Sequence, residues 1–347
     1  MPYPLIMTTS NGIEKPMHKL KRWAGRLSLS LAIFLAAFIQ SSFAAERAAR
    51  LMPVRIGTVS RSTLDMPFLV ARDRGFFREE GLEPEIVLMR SSLTVQALLA
   101  GGIDFGTATG TAVSAAVNGI DVRVIMAMSD KPSFDLFSQP SITGIQQLRG
   151  KKIGVGGLGG LTDNMIRQIL LANQIALNQV TIVPVGASSI TYASLKTGII
   201  DATMLQIPQN FLAQDEGFRK LAAGADYYRI VQGGLTTTKT ILSERPELVT
   251  KVVRATLRAM RFIKNDKKYS LGFMKTSNLD LGADRDRFTE RTYEAAVEGY
   301  LFAGAVDDKL QREMIAVAAQ RIKPPPQVAP ERVFDFAITR KVVETLR

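Results

Sequence analysis

Residues 91–104 read SSLTVQALLAGGID, and residues 188–201 read SSITYASLKTGIID. Aligned without a gap at an offset of 97, the two segments share Ser91/Ser188, Ser92/Ser189, Thr94/Thr191, Leu98/Leu195, Gly101/Gly198, Ile103/Ile200 and Asp104/Asp201. The same offset pairs Ile56-Gly57 with Ile153-Gly154 and Leu64 with Leu161. A match at fixed spacing means one structural unit used twice, and two copies are too few for a solenoid. The pattern therefore predicts two α/β halves facing each other across a cleft, the usual place for a small ligand.

The first 44 residues differ from the rest. Lys15, Lys19, Lys21, Arg22 and Arg26 precede an apolar run from Leu27 to Ile39, and Ser42-Phe43-Ala44 places small residues before a cut. This layout predicts a secretory signal peptide over 1–44, cleaved near Ala44. The apolar run is shorter than the roughly 20 residues a spanning helix needs. The whole chain of 347 residues carries a formal charge of +12; the leader holds five basic residues and one acid, which leaves +8 for the remainder. That excess favours anionic partners through long-range attraction. No polybasic block occurs, so nucleic acid is not an expected partner.

Cysteine is absent, and the only histidine and tryptophan are His18 and Trp23, inside the leader. Zinc sites of the Cys/His kind are excluded, as is catalysis by Cys–His or Ser–His–Asp. No metal, cofactor or catalytic residue is expected.

Strands are predicted at Val54–Val59, Glu83–Met89, Phe105–Thr107 and Val122–Met128, with helices at Met66–Arg74, Ser91–Ala100 and Gly110–Asn118 between them. The second copy repeats the order from Lys152, and this alternation implies parallel βαβ units. Residues 139–150 read as a connection, and Pro246–Asn265 as an amphipathic helix carrying Val249, Val252, Val253, Leu257, Met260 and Phe262 or Ile263 on one side. The helical tail has no counterpart in copy two. It is assigned to the first lobe, which then comprises 45–148 and 240–347, with 149–239 as the second lobe. Two crossings, near 147–150 and 234–240, make the hinge.

In open α/β sheets ligands bind beyond the carboxyl ends of the strands. That rule selects Ser60, Ser62 and Leu64 after the first strand, Ser91 after the second, and Thr107 and Thr109 after the third. In the second copy it selects Gly160, Leu161, Thr162, Ser188 and Gln206. These loops are rich in Ser, Thr and Gly and lead into helices, so their N–H groups suit a carboxylate or sulfonate. Leu64, Leu161 and Phe134 are expected to cover an apolar tail. Asp65 reads first as an acid in the first helical turn, and second as a contact for a ligand amine.

Several segments together carry a family resemblance: PFLVA at 67–71, GFF at 75–77, EGL at 80–82, ALLAG at 97–101, IDFG at 103–106, LRGKKIG at 148–154 and GIIDA at 198–202. Over roughly residues 54–260 the chain resembles the substrate-binding proteins of nitrate/sulfonate/taurine-type ABC transporters. Thiamine-pyrimidine-precursor binders are similar too. The resemblance implies a type II periplasmic-binding-protein-like fold, two α/β lobes joined by a two-stranded hinge. It further implies a periplasmic, monomeric protein that captures a small ligand and hands it to an ABC permease with its ATPase. Nitrate and bicarbonate binders of the broad family lean on His and Trp, which this chain lacks beyond its leader; a small organic anion fits better. The alternatives are an enzyme on the same fold acting on a small metabolite, or a ligand-presenting partner of a membrane sensor.

Overall fold

The structure, a computed structural model, describes residues 51–186, 188–281, 284–320 and 322–346. The expected leader over 1–44 lies outside the described residues. The chain divides into residues 1–51 and residues 52–347, and every strand and helix named below belongs to the second unit.

The first copy supplies β1 (Met52–Thr58), α1 (Met66–Asp73), α2 (Phe76–Glu79), β2 (Leu82–Leu88), α3 (Ser91–Leu99), β3 (Phe105–Gly106), α4 (Thr109–Val117) and β4 (Val122–Ala127). Then come β5 (Phe134–Ser138), β6 (Lys152–Val155), α5 (Leu161–Ala172), β7 (Thr181–Pro184), α6 (Ser188–Lys196), β8 (Ala202–Gln206), α7 (Gln209–Asp215), β9 (Arg219–Ala223) and β10 (Gly234–Thr238). The tail is helical: α8 (Lys239–Glu244), α9 (Pro246–Asn265), α10 (Lys267–Thr276), α11 (Arg285–Gly299), α12 (Asp308–Ala319) and α13 (Ala337–Thr345). Helices α3 and α6 begin and end 97 positions apart, as the repeat requires.

Two sets of identical residues in the repeat make equivalent contacts. A Cβ on Gly57 would lie 2.7 Å from Ile103 Cδ1, and one on Gly154 would lie 2.5 Å from Ile200 Cδ1. Each strand glycine thus leaves the space that the following isoleucine fills. Asp104 Oδ2 accepts the Arg55 N–H at 2.8 Å, and Asp201 Oδ2 accepts the Lys152 N–H at 2.8 Å. These carboxylates tie each third strand to the first at the edge away from the cleft.

Two five-stranded sheets result, ordered β2-β1-β3-β10-β4 and β7-β6-β8-β5-β9. The first three strands of each are parallel, through β1–β2, β1–β3, β6–β7 and β6–β8. The fourth runs antiparallel and comes from the other half of the chain: β5 pairs with β8 and β9, and β10 with β3 and β4. This exchange moves the crossings assigned from sequence. Phe134–Ser138 belongs to the second sheet although the sequence assigns 45–148 to the first lobe. Gly234–Thr238 belongs to the first sheet although the sequence assigns 149–239 to the second. The chain crosses at 128–133 and again near 228–233, and the two crossings bond to each other. Met128 N–H donates to Gly233 O at 3.2 Å, Gln232 N–H to Ser129 O at 2.9 Å, and Ile230 N–H to Asp130 O at 3.3 Å. The physical reason is that an antiparallel strand completes each sheet, and neither copy encodes one in its own βαβ units.

The tail packs on the first sheet. Helix α9 buries Val249, Val252, Val253, Leu257, Met260 and Ile263 in one core with Phe68 and Val70 of α1 and with Val342 of α13. The stripe thus runs through Ile263, with Phe262 half-buried beside it. The last helix begins only at Ala337, because Val333 and Asp335 just before it bond the β4 backbone at Val124. Among the described residues no helix is long and apolar enough to cross a membrane.

Candidate functional site

The carboxyl ends of β1, β3 and β8 and both crossings enclose a cavity of about 340 Å³. Its walls include Ser60, Ser62, Leu64 and Asp65 from the loop after β1, and Thr107 after β3. Gln206 and Ile207 close it from the second sheet, Ser133 and Gln232 from the crossings, and Asp280, Leu281 and Thr292 from the tail. Five residues expected at the ligand are thus brought together: Ser60, Ser62, Leu64, Thr107 and Gln206.

Asp65 is the centre of this group. It is 4% exposed and stands at the N-cap of α1, yet its side chain makes no capping bond. The first-turn reading is therefore corrected: the carboxylate turns away from its own helix toward the loop hydroxyls. Ser60 Oγ and Ser62 Oγ both donate to Oδ2, the latter at 3.5 Å, and the two serine oxygens lie 3.0 Å apart. Thr107 Oγ1 accepts the Val59 N–H at 3.2 Å, which leaves its own proton for Asp65. Burial pushes the Asp65 carboxyl up to about 6, against the opposing pull of the Ser60 hydroxyl, the Ser62 backbone and hydroxyl, and Thr107. Beneath the loop, Tyr300 OH donates to Thr63 O at 2.8 Å. Burial first and the Asp65 charge second raise the Tyr300 phenol, which stays protonated.

The other expected residues are occupied elsewhere. Thr109 is buried and donates to Val231 O at 3.0 Å, so it fastens α4 to the second crossing. Ser91 Oγ shares a hydrogen bond with Thr111 at 2.7 Å, and Ser188 Oγ accepts the Gln206 N–H at 3.3 Å. Thr162 Oγ1 accepts the Gly156 N–H at 2.9 Å. In the same loop Gly159 N–H donates to Asp163 Oδ2 at 2.7 Å, and Gly160 N–H to Gly157 O at 3.1 Å. The N–H groups of Gly156, Gly159 and Gly160 are thus spent inside their own loop rather than offered to an anion. Leu161, half-buried, packs with the core of the second sheet and not on the cavity.

A second cavity of about 190 Å³ adjoins the first and shares Thr63, Leu64, Ser133, Ile207 and Gln232 with it. Phe134 lines it, as an apolar cover would, and so does Asn210 of α7. Asn210 is 6% exposed. Its Nδ2 donates to Asp135 Oδ2 at 3.2 Å, while its Oδ1 is buried without a partner. Sequence reading passes over Asn210. The available signal is a break in the repeat, since the residue 97 positions earlier is Val113.

Beside the cavities the tail clasps the second sheet. Arg287 and Arg291 of α11 both bond Asp215 of α7, at 2.7 and 2.9 Å. The Arg291 guanidinium also lies 4.3 Å from the Phe211 ring centroid, and Phe211 meets Phe288 at 5.7 Å. Exposed ion pairs contribute little singly, whereas a shared carboxylate with a cation–π contact contributes more. Asp215→Ala is expected to cost about 1 kcal/mol in thermal unfolding and to raise the radius of gyration in X-ray scattering. An unchanged radius would mean the clasp does not restrain the lobes.

Known proteins of similar sequence or shape place this geometry in a family. The riboflavin-binding protein RibY of Chloroflexus aurantiacus is 24% identical over 205 residues, which cover 56% of this chain and 57% of RibY. The chain thus aligns with little more than half of that curated relative's length. The putative periplasmic sulfonate-binding protein SsuA from Methylobacillus flagellatus superposes with a TM-score of 0.68 at 16% identity, covering 86% of this chain and 95% of its own. The aliphatic sulphonate-binding SsuA of Escherichia coli gives 0.65 at 15% identity, covering 81% and 97%. At such identities the superpositions establish the periplasmic-binding fold and nothing about ligand. The model of the NMT1/THI5-like family matches residues 63–268, more than half of the chain, and the protein belongs to that family.

Proposed function

We propose that this chain is an exported solute-binding protein that closes two α/β lobes over a small organic ligand and delivers it to an ABC permease and its ATPase. The observation that carries this reading is the 340 Å³ cavity, lined by strand-end loops of both sheets and by both crossings. A ligand there touches both lobes and the hinge at once, so its binding energy favours the closed arrangement. The walls offer hydroxyls, amides and one buried carboxylate, groups that can hold a small solute by hydrogen bonds. Both SsuA structures that share the fold are named as binding proteins, in line with this reading.

The expectation of a sulfonate- or carboxylate-like group at these loops is not retained. The N–H groups of Gly156, Gly159 and Gly160 are engaged, and the buried charge facing the cavity is negative. Thermal-shift screening of small organic solutes tests the reading. A solute at 100 times its Kd should stabilise the protein by about 2.7 kcal/mol, and scattering should then report a smaller radius. A panel that leaves both measurements unmoved counts against it. Export is tested separately: mass spectrometry of the exported protein should find an N-terminus at Ala45, and a full-length cytoplasmic chain would contradict it.

A further inference from the structure

We propose that the two linked cavities recognise a ligand through its hydrogen-bond donors, one N–H group held by the Asp65 carboxylate and another by Asn210 Oδ1. This deepens the solute-binding reading and rests on it. Two independent observations converge. Asp65 is buried at the wall of the larger cavity, and every group bonded to it is a neutral hydroxyl or backbone N–H. Asn210, buried at the wall of the adjoining cavity, has its amide orientation fixed by Nδ2 bonding Asp135, which leaves Oδ1 an acceptor without a donor. An unmatched buried acceptor is costly, and a ligand donor is the group that relieves it.

The surrounding charges agree. Arg61, exposed at the rim, is the one cation lining the larger cavity among the described residues, and Asp280 lines it as well. Lys131 and Glu298 line the smaller cavity, and Asp135 is paired with Lys220 at 2.8 Å. Tyr300 spends its proton on Thr63 O. No buried cation answers Asp65 from any of these elements. The apolar walls at Leu64, Phe134, Ile207 and Leu281 suit a small ring or short chain between the two polar contacts. A ring imide, an amide or an ammonium group shares the required chemistry.

The experiment is calorimetry with matched probes on wild type, Asp65→Asn and Asn210→Leu. The pairs are thymine with 1,3-dimethylthymine, riboflavin with 3-methylriboflavin, and taurine with 1-propanesulfonate; ethanesulfonate and nitrate serve as donor-free anions. At least one donor-bearing probe should bind. Its affinity should fall tenfold or more when the donor is methylated or deleted, and tenfold or more in each variant. Neutral probes binding as well as ammonium probes would place an imide or amide at Asp65, and the reverse an amine. Donor-free anions binding wild type and Asp65→Asn equally well would overturn this proposal and leave solute binding standing. No probe binding any of the three proteins would count against both.

Discussion

Asp65→Asn is expected to make the ligand-free protein more stable at neutral pH. The folded state holds this carboxyl at about 6 against an ordinary 3.8 because burial disfavours its charge. Between those values the folded protein keeps a proton that the unfolded chain has released. Stability is therefore fully present below about pH 4, is lost as pH rises through about 6, and is flat above. A displacement of this size corresponds to at most about 3 kcal/mol. The asparagine NH₂ facing the same hydroxyls takes back part of this, leaving a gain of about 1–2 kcal/mol at pH 7. Urea unfolding of both proteins between pH 4 and 8 is the measurement. The variant's advantage should vanish at the acid end and reach its plateau above pH 6. An asparagine variant less stable than wild type at pH 7 would show that the carboxylate is a loop anchor. A residue that lowers the stability of the empty protein and faces its cavity matches the trade-off found at binding sites.

Gly234→Ala should be the most damaging conservative change. Gly234 opens β10 where the chain re-enters the first sheet, with φ at 147°. A Cβ there would lie 2.1 Å from Met126 O and 3.1 Å from Met126 C, both backbone atoms of β4. A side-chain neighbour could rotate away, but a paired strand cannot, since Gly234 and Ala127 are register partners. A loss of about 3–5 kcal/mol is expected, combining overpacking with backbone strain. Gly110→Ala is the control. It lies in exposed helix with open space around its Cβ, and there alanine should stabilise by about 0.5–1 kcal/mol. Thermal melts of the two variants test both values. Equal small effects would mean the crossing is looser than its geometry.

Much of the fold was legible because the repeat writes it twice. Lys152–Val155 and Pro246–Asn265 fall where periodicity and turn residues place them. The shared Gly57/Gly154, Ile103/Ile200 and Asp104/Asp201 mark packing common to both sheets. The site is legible in the opposite way, where the copies diverge. Ser60, Ser62 and Asp65 face Gly157, Gly159 and Thr162 across the offset, and Asn210 faces Val113. Identity between copies reports a common scaffold, whereas a ligand bound once between them requires different groups from each.

By itself, then, the sequence determined the two α/β halves, most of their strands and helices, and the strand ends that carry polar loops, because local periodicity and repeated residues encode all three. Only the tertiary structure decided three further things. The fourth strand of each sheet comes from the other half, since β5 and β10 follow no local pattern that names their partners. In the Gly156–Gly160 loop, Gly156 and Gly159 spend their N–H groups on Thr162 and Asp163, which depends on side-chain direction rather than on spacing. Asp65 and Asn210, 145 positions apart in sequence, line linked cavities as buried acceptors. Burial and hydrogen-bond partners are properties of what surrounds a residue, and what surrounds these two is assembled from both halves of the chain and its tail.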